Sequence, residues 1–331
     1  MLFFRLELVF YHSTNKPIYL LFLFAIWVYN AIKHFFTQKG ATMTDFILST
    51  ETTCDLCEHT LSLLKISSIA MEYSVDNQDF GGDSQKNISN KDFYDQMRKG
   101  AKTRTSMVND ERAKTYLLSL LSKGQDVLHI SFASACSGTY DAFVRASQEI
   151  NQTSQNKVYV VDSKCESTGQ GLLVRLCAEK KKSGASLVEV KEYAENVLNR
   201  INLLFTVDNL KYLEAGGRIS KSTALIGNVL SVKPILYVDH TGKLTQGTKV
   251  ISRKHSLSKL AKLTAEKSSG ESDIIYVSHA DCKEDCAFVI KKIQALLPTA
   301  KIYMEEIGPV IGAHSGPGTI AIFFVGKDRE F

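Results

Sequence analysis

From Met43 onward, short apolar runs alternate with segments of helical periodicity. Phe46–Ser49, Asp126–Ser131 and Lys157–Asp162 read as strands, with Val127, Leu128 and Ile130 in the second and Val158, Val160 and Val161 in the third. Helical spacing runs over Lys114–Ser122, Tyr140–Ile150 and Gly169–Lys182. Lys180-Lys181-Lys182 suits the negative end of the last helix. Strand–helix alternation of this kind predicts a parallel sheet with helices on its faces. The polar stretch Gly81–Asn90 reads as a loop or small excursion. Residues 186–200 predict an amphipathic helix opened by Ser186, with Glu189 placed to complete a capping box. Beyond it the pattern changes. Leu203–Val207, Lys233–Asp239, Asp273–Ser278, Lys301–Glu305 and Thr319–Val325 are strand candidates, joined in part by helices at Asn209–Glu214, His255–Lys267 and Lys283–Leu297. His240-Thr241-Gly242 reads as a hairpin turn. The expectation is an α/β chain, with a parallel-sheet N-terminal domain over 43–200 and an α+β C-terminal domain with a mixed sheet over 201–331.

Residues 1–42 stand apart. Pro17 to Ile32 is almost wholly apolar, between Lys16 and Lys33-His34. That is slightly short of the about 20 residues a bilayer span needs. No small-residue cleavage site follows, so a secretory signal is poorly supported. Two readings stay open. Either the working protein starts at Met43, whose sequence leads straight into the first strand, or residues 17–36 form a membrane tether.

Length and charge narrow the function. The 331 residues suffice for two domains and a sizeable core. The formal charge is +5, but Arg5, Lys16, Lys33, Lys39 and Glu7 account for +3 of it, which leaves the body near neutral. With no zinc-finger or RNP-like pattern, nucleic acid is not an expected partner. Seven scattered cysteines read as free thiols in a reducing, cytoplasmic setting. Cys54/Cys57 and Cys282/Cys286 are too unlike zinc knuckles to predict a metal. No P-loop or dinucleotide fingerprint is present.

Candidate chemistry lies in small-residue turns far apart in the chain. Ser137-Gly138-Thr139 follows a strand and precedes a helix, where it either caps that helix or offers amides to a ligand anion. Thr105-Ser106 precedes the helical run 110–122, with the same two readings. In Gly216-Gly217-Arg218, the first glycine fits a left-handed helix cap, and the arginine is either a surface cation or a ligand contact. Gly312–Gly318 reads as a turn that leaves His314 unshielded. Hydroxyls, bare amides and one arginine amid long apolar segments point to a buried site for an anionic head on an apolar body. No base adjoins Ser137 in sequence, which weakens a serine nucleophile.

Five segments taken in order resemble the DegV family. Thr52-Thr53-Cys54-Asp55-Leu56 resembles its opening D-S-T-x-D-L, with Glu51 in place of Asp. Ser134–Tyr140 resembles S-S-x-L-S-G-T-Y, with Ala133 and Cys136 as departures. Leu210–Ser220 is similar to L-x-Y-L-x-x-G-G-R-I, and Asp162–Gly171 and Ile307–Gly318 also fit. Met107, Val108 and Asn109 depart from the Q-P-[ST] that usually follows Thr-Ser, which puts the preferred acyl chain in question. The resemblance implies two domains holding one long-chain fatty acid in a tunnel between them. Thr105, Ser106, Ser137, Gly138 and His314 would hold the carboxylate, and Arg218 would lie near the head group and a kinase-facing mouth. It implies a non-catalytic, cytoplasmic carrier with the bound fatty acid as its ligand and no other cofactor. That carrier would present the acid to a separate ATP-dependent kinase, which would make an acyl phosphate for phospholipid synthesis. Two rivals stay open: a hydrolase or transferase using Ser137 or His314, and a lipid sensor in membrane contact through residues 17–36.

Overall fold

Strand–helix alternation builds the first sheet. Strands β1 (Ile47–Glu51), β2 (Ile66–Ile69), β6 (Val127–Ser131) and β7 (Val158–Asp162) lie in the order β2-β1-β6-β7, and every pair is parallel. The structure is a computed structural model that describes residues 45–84, 86–220, 232–270 and 272–329. The readings for residues 1–42, including the Met43 start and the tether over 17–36, lie outside the described residues. Residues 45–331 form one compact unit.

Each face of the parallel sheet is buried, which is why β1 and β6 carry no exposed position. Ile47, Val127 and Val158 face a core shared with Leu117 and Phe143, from the helices Asp110–Leu121 and Thr139–Thr153. Leu48, Leu128 and Ile130 face the helix Thr168–Lys182. That helix also packs on the second sheet, so it forms a central layer shared by both. Its two glycines explain the close fit. A Cβ at Gly169 would come within 2.9 Å of Phe323, and one at Gly171 within 2.6 Å of the Cys54 carbonyl oxygen.

The second sheet is mixed. It holds β8 (Ile201–Thr206), β9 (Val232–Val238), β10 (Leu244–Ile251), β11 (Ile274–His279), β12 (Lys301–Glu306) and β13 (Ile320–Val325), in the order β10-β9-β8-β13-β11-β12. Only β11 and β12 pair in parallel. Period-two alternation sorts its side chains. Leu203, Ala321 and Phe323 point to the central helix and the first sheet. Leu204, Ile320, Ile322 and Phe324 pack against the helices Arg253–Lys267 and Lys283–Leu296.

Several expectations hold. Lys182 ends the central helix, and Ser186 and Glu189 form a complete capping box on Leu187–Val197. The hairpin turn joins antiparallel β9 and β10. Others need correction. A third, antiparallel sheet of β3 (Glu72–Val75), β4 (Gln78–Gly81) and β5 (Thr103–Ser106) has the order β4-β3-β5. Gly81 therefore ends a strand instead of opening a loop. Thr105 and Ser106 lie in β5 and cap nothing; the cap of Asp110–Leu121 is Asn109, whose Oδ1 accepts from the Arg112 amide at 2.9 Å. The left-handed glycine after the helix Lys211–Ala215 is Gly217 (φ +71°), not Gly216 (φ −76°). Among the described residues, no helix is long and apolar enough to cross a membrane.

Candidate functional site

The order β2-β1-β6-β7 places a switch point between β1 and β6, since the chain leaves β1 toward β2 and later returns on the other side. A crevice at the carboxyl ends of such strands is where open α/β sheets bind ligands. Thr53 follows β1, Phe132, Cys136, Ser137 and Gly138 follow β6, and Glu166 and Ser167 follow β7. All of them line one cavity of about 290 Å³. The small sheet contributes Thr105, Met107 follows it, and the mixed sheet closes the space with Leu203, Phe205, Val238, Leu244, Ala321 and Phe323. Most of this surface is aliphatic or aromatic.

A buried network fixes the strand ends behind the cavity. Glu51, wholly buried at the end of β1, accepts from Ser131 Oγ at 2.6 Å and His129 Nε2 at 3.1 Å on one oxygen. Its other oxygen accepts from Gln170 Nε2 at 2.6 Å and the Phe132 amide at 3.1 Å. Gln170 also accepts from Thr53 Oγ1 at 3.0 Å. Four donors thus meet one carboxylate, a degree of satisfaction that a buried charge requires. Sequence reading found Glu51 only as a departure from a motif. The partners lie 78 or more residues away in the chain, so spacing gave no signal of them.

The wall that carries His314 is a short helix, Pro309–Ser315, where a turn was expected. Proline at its first position supplies the preset φ that opens a helix. Gly312 lets it lie flat on Tyr94, because a Cβ there would fall 2.3 Å from the Tyr94 hydroxyl. That hydroxyl donates to the Ile307 carbonyl at 2.7 Å. Asp55, in the loop after β1, accepts from the Gly308 amide at 3.0 Å and from Ser167 Oγ at 2.6 Å. Burial pushes the Asp55 carboxyl up to about 7, although both hydrogen bonds favour its charged form. A raised carboxyl pKa stabilises the fold fully below the unfolded value of 3.8, and that stabilisation is lost as pH rises through about 7. Asp55→Asn should therefore flatten the dependence of urea-unfolding stability on pH between about 4 and 7. An unchanged slope would mean that Asp55 does not titrate there.

The predicted polar residues line the same cavity, with one exception. Thr105, Ser137, Gly138, Arg218 and His314 all line it. Ser106 does not: its strand neighbour Thr105 faces the cavity, and alternation turns Ser106 to the exposed face. Thr105 Oγ1 lies 2.8 Å from His314 Nε2, although 209 residues separate the two. Burial pulls the His314 imidazole down to about 4, with Arg218 pushing the same way, so the ring is neutral at pH 7. Its Nδ1 has no partner among the described residues. Gly216 makes room for that ring, since a Cβ there would sit 2.3 Å from Nδ1. Gly216→Ala should displace His314 and cost about 1–3 kcal/mol of stability by overpacking, which thermal and urea unfolding would read.

Ser137 Oγ lies 2.9 Å from Thr139 Oγ1 and accepts from the Thr139 amide at 3.2 Å. Gly138 is the cap residue of the helix Thr139–Thr153 and has no side chain to close that end. Arg218 donates to the carbonyls of Gly216 and of Cys136, the latter at 2.9 Å, and so ties the mixed-sheet domain to the turn after β6. The arrangement offers neutral donors and one fixed cation to an anion, and an apolar wall to whatever is attached to it. The seven cysteines are free thiols, and the described residues contain no cluster of three or more His, Cys, Asp or Glu suited to a metal.

This geometry has close counterparts. The model of the DegV family of uncharacterised proteins matches residues 46–327. A DegV domain-containing protein of Clostridium perfringens is 34% identical over 290 residues, which span 87% of this chain and 100% of that one. Among solved structures, Bacillus subtilis DegV, described as a fatty acid binding protein, superposes with a TM-score of 0.75 at 27% identity, covering 86% of this chain and 100% of that one. A DegV lipid binding protein of Thermotoga maritima gives a TM-score of 0.74 at 25% identity, with the same two coverages. A parallel sheet meeting a mixed sheet over one cavity, and a family match that spans almost the whole described body, lead to one conclusion: the chain belongs to the DegV family.

Proposed function

We propose that this protein is a fatty-acid carrier that holds one long-chain acid in the cavity and presents its carboxylate to a separate ATP-dependent kinase. The observation that carries this reading is the polarity of the cavity. Thr105 meets a neutral imidazole from a segment 209 residues away, and Ser137, Gly138 and Arg218 line the same cavity, whose wall is mostly aliphatic or aromatic. The relatives described as fatty-acid- or lipid-binding support the same ligand class. A chain of about 16 carbons gains about 0.8 kcal/mol per buried CH₂, or about 12 kcal/mol gross before ordering costs. Each hydrogen bond to a charged head contributes about 1.5–3 kcal/mol, less desolvation. The tail then sets affinity, and Thr105, Ser137, the Gly138 amide and His314 set orientation. A carboxylate held at a fixed point suits phosphoryl transfer by a second protein, with an acyl phosphate as product and phospholipid synthesis as its use. The division of labour falls between a domain over 43–200 and one over 201–331, joined across the ligand.

Non-denaturing intact mass of the purified native protein tests this directly. A co-purified acid adds a few hundred daltons, and its mass names the chain. A ligand-free protein that takes up no fatty acid on addition would remove the proposal. Thr105→Ala, Ser137→Ala and His314→Ala should each weaken fatty-acid binding about tenfold, the size of one charged hydrogen bond after desolvation. Arg218→Ala should lower kinase-coupled turnover more than binding, as titration beside a coupled assay would show. The rival hydrolase gains nothing from Ser137, whose hydrogen bonds run to Thr139 and not to the imidazole.

A further inference from the structure

Glu166 is the acidic residue in the cavity lining, and the carrier reading leaves it unexplained. It follows β7 and lines the cavity beside Cys136, whose thiol donates to Oε1 at 3.3 Å. Its Oε2 is shielded from solvent and has no partner among the described residues. Most other hydroxyls that reach the cavity are already committed; Ser315 Oγ is the exception, with no partner among the described residues. Thr53 donates to Gln170, Ser167 to Asp55, and Thr319 to the carbonyls of Ser315 and Gly316. A plain hydrocarbon chain laid along this wall would leave the free carboxyl oxygen without a hydrogen bond, and a buried polar group pays most when left unpaired. A chain carrying its own hydroxyl would satisfy it.

We propose that the cavity selects a hydroxylated fatty acid, whose in-chain hydroxyl pairs with Glu166. This rests on the fatty-acid reading above and narrows it to one ligand class. The protonation state fits. Burial pushes the Glu166 carboxyl up to about 8, against the opposing pull of the Cys136 hydrogen bond and of Arg329. At pH 7 the group is then mostly a neutral acid: Oε1, which accepts from the thiol, is its carbonyl oxygen, and Oε2 carries an O–H to give to an alcohol oxygen. A neutral acid also escapes the large cost of an unpaired buried carboxylate.

The test is a calorimetric titration of the delipidated full chain with hexadecanoic acid and with hydroxyhexadecanoic acids bearing the hydroxyl at successive carbons. One positional isomer should bind wild type about tenfold more tightly than hexadecanoic acid, equivalent to about 1.4 kcal/mol. Glu166→Leu should remove that preference and tighten hexadecanoic acid, while Glu166→Gln should keep part of it. If hexadecanoic acid binds wild type as tightly as every isomer or more tightly, the hydroxyl preference is overturned and the carrier reading stands. If no member of the series binds, the carrier reading itself falls. The wild-type series decides the matter even where a variant fails to fold.

Discussion

Ala321→Trp is expected to abolish fatty-acid binding and leave the chain folded. Ala321 is buried in β13, the strand flanked by β8 and β11 in the mixed sheet, and it lines the cavity with Phe205 opposite it on β8 and Phe323 two residues on along the same face. An indole at that position projects into the space assigned to the acyl chain. Displacing even five methylenes forfeits about 4 kcal/mol, close to a thousandfold in Kd. The host pays less, because the new ring enters a void instead of filled core; overpacking there costs about 1–3 kcal/mol. Titration with hexadecanoic acid, together with circular dichroism, separates the two effects. A folded variant that still loads lipid with wild-type affinity would move the acyl chain out of this cavity.

Glu51→Ala should be the most damaging substitution for stability, at about 3–5 kcal/mol. The loss comes less from the missing side chain than from what it leaves behind. Ser131, His129 and the Phe132 amide would each keep a buried donor with nothing to accept it, while Gln170 Nε2 would keep only Thr50 Oγ1 and the Ile130 carbonyl. Against a typical total of about 5–15 kcal/mol, that is a large fraction. Urea unfolding followed by fluorescence or circular dichroism reads it. A loss below about 1 kcal/mol would mean that water enters and replaces the carboxylate, and that the strand ends do not depend on Glu51.

Three strands of the parallel sheet were legible because each carries a short apolar run set off by helical spacing, and the capping box because its residues lie three apart; β2, half serine, gave no such run. The small sheet was not. Its strands are four residues each, and Thr103–Ser106 lies 28 residues after Val75, so its pairing with β3 is set only by tertiary contacts. One local signal was present. Asp76 and Asn77 both take positive φ in the two-residue turn between β3 and β4, a hairpin signature for these residue types. Proline at the start of 309–315 was likewise a helix signal, outweighed by the surrounding glycines. At the site, the hydroxyl turns were found from composition, but Ser106 was assigned with its neighbour because strand alternation there was not recognised. The pairing of Thr105 with His314 and the role of Glu166 depend on distances that no local pattern encodes.

The head-group cluster joins Thr105 to His314, and the wall beside it is completed by Ala321 and Phe323, within the last dozen residues of the chain. Closing the contact between Thr105 and His314 brings together residues 209 apart, an ordering cost that is met only once both sheets exist. A fragment without 309–325 keeps the parallel sheet's strands but has neither the imidazole nor the closing strand, so it should have no cavity to fill.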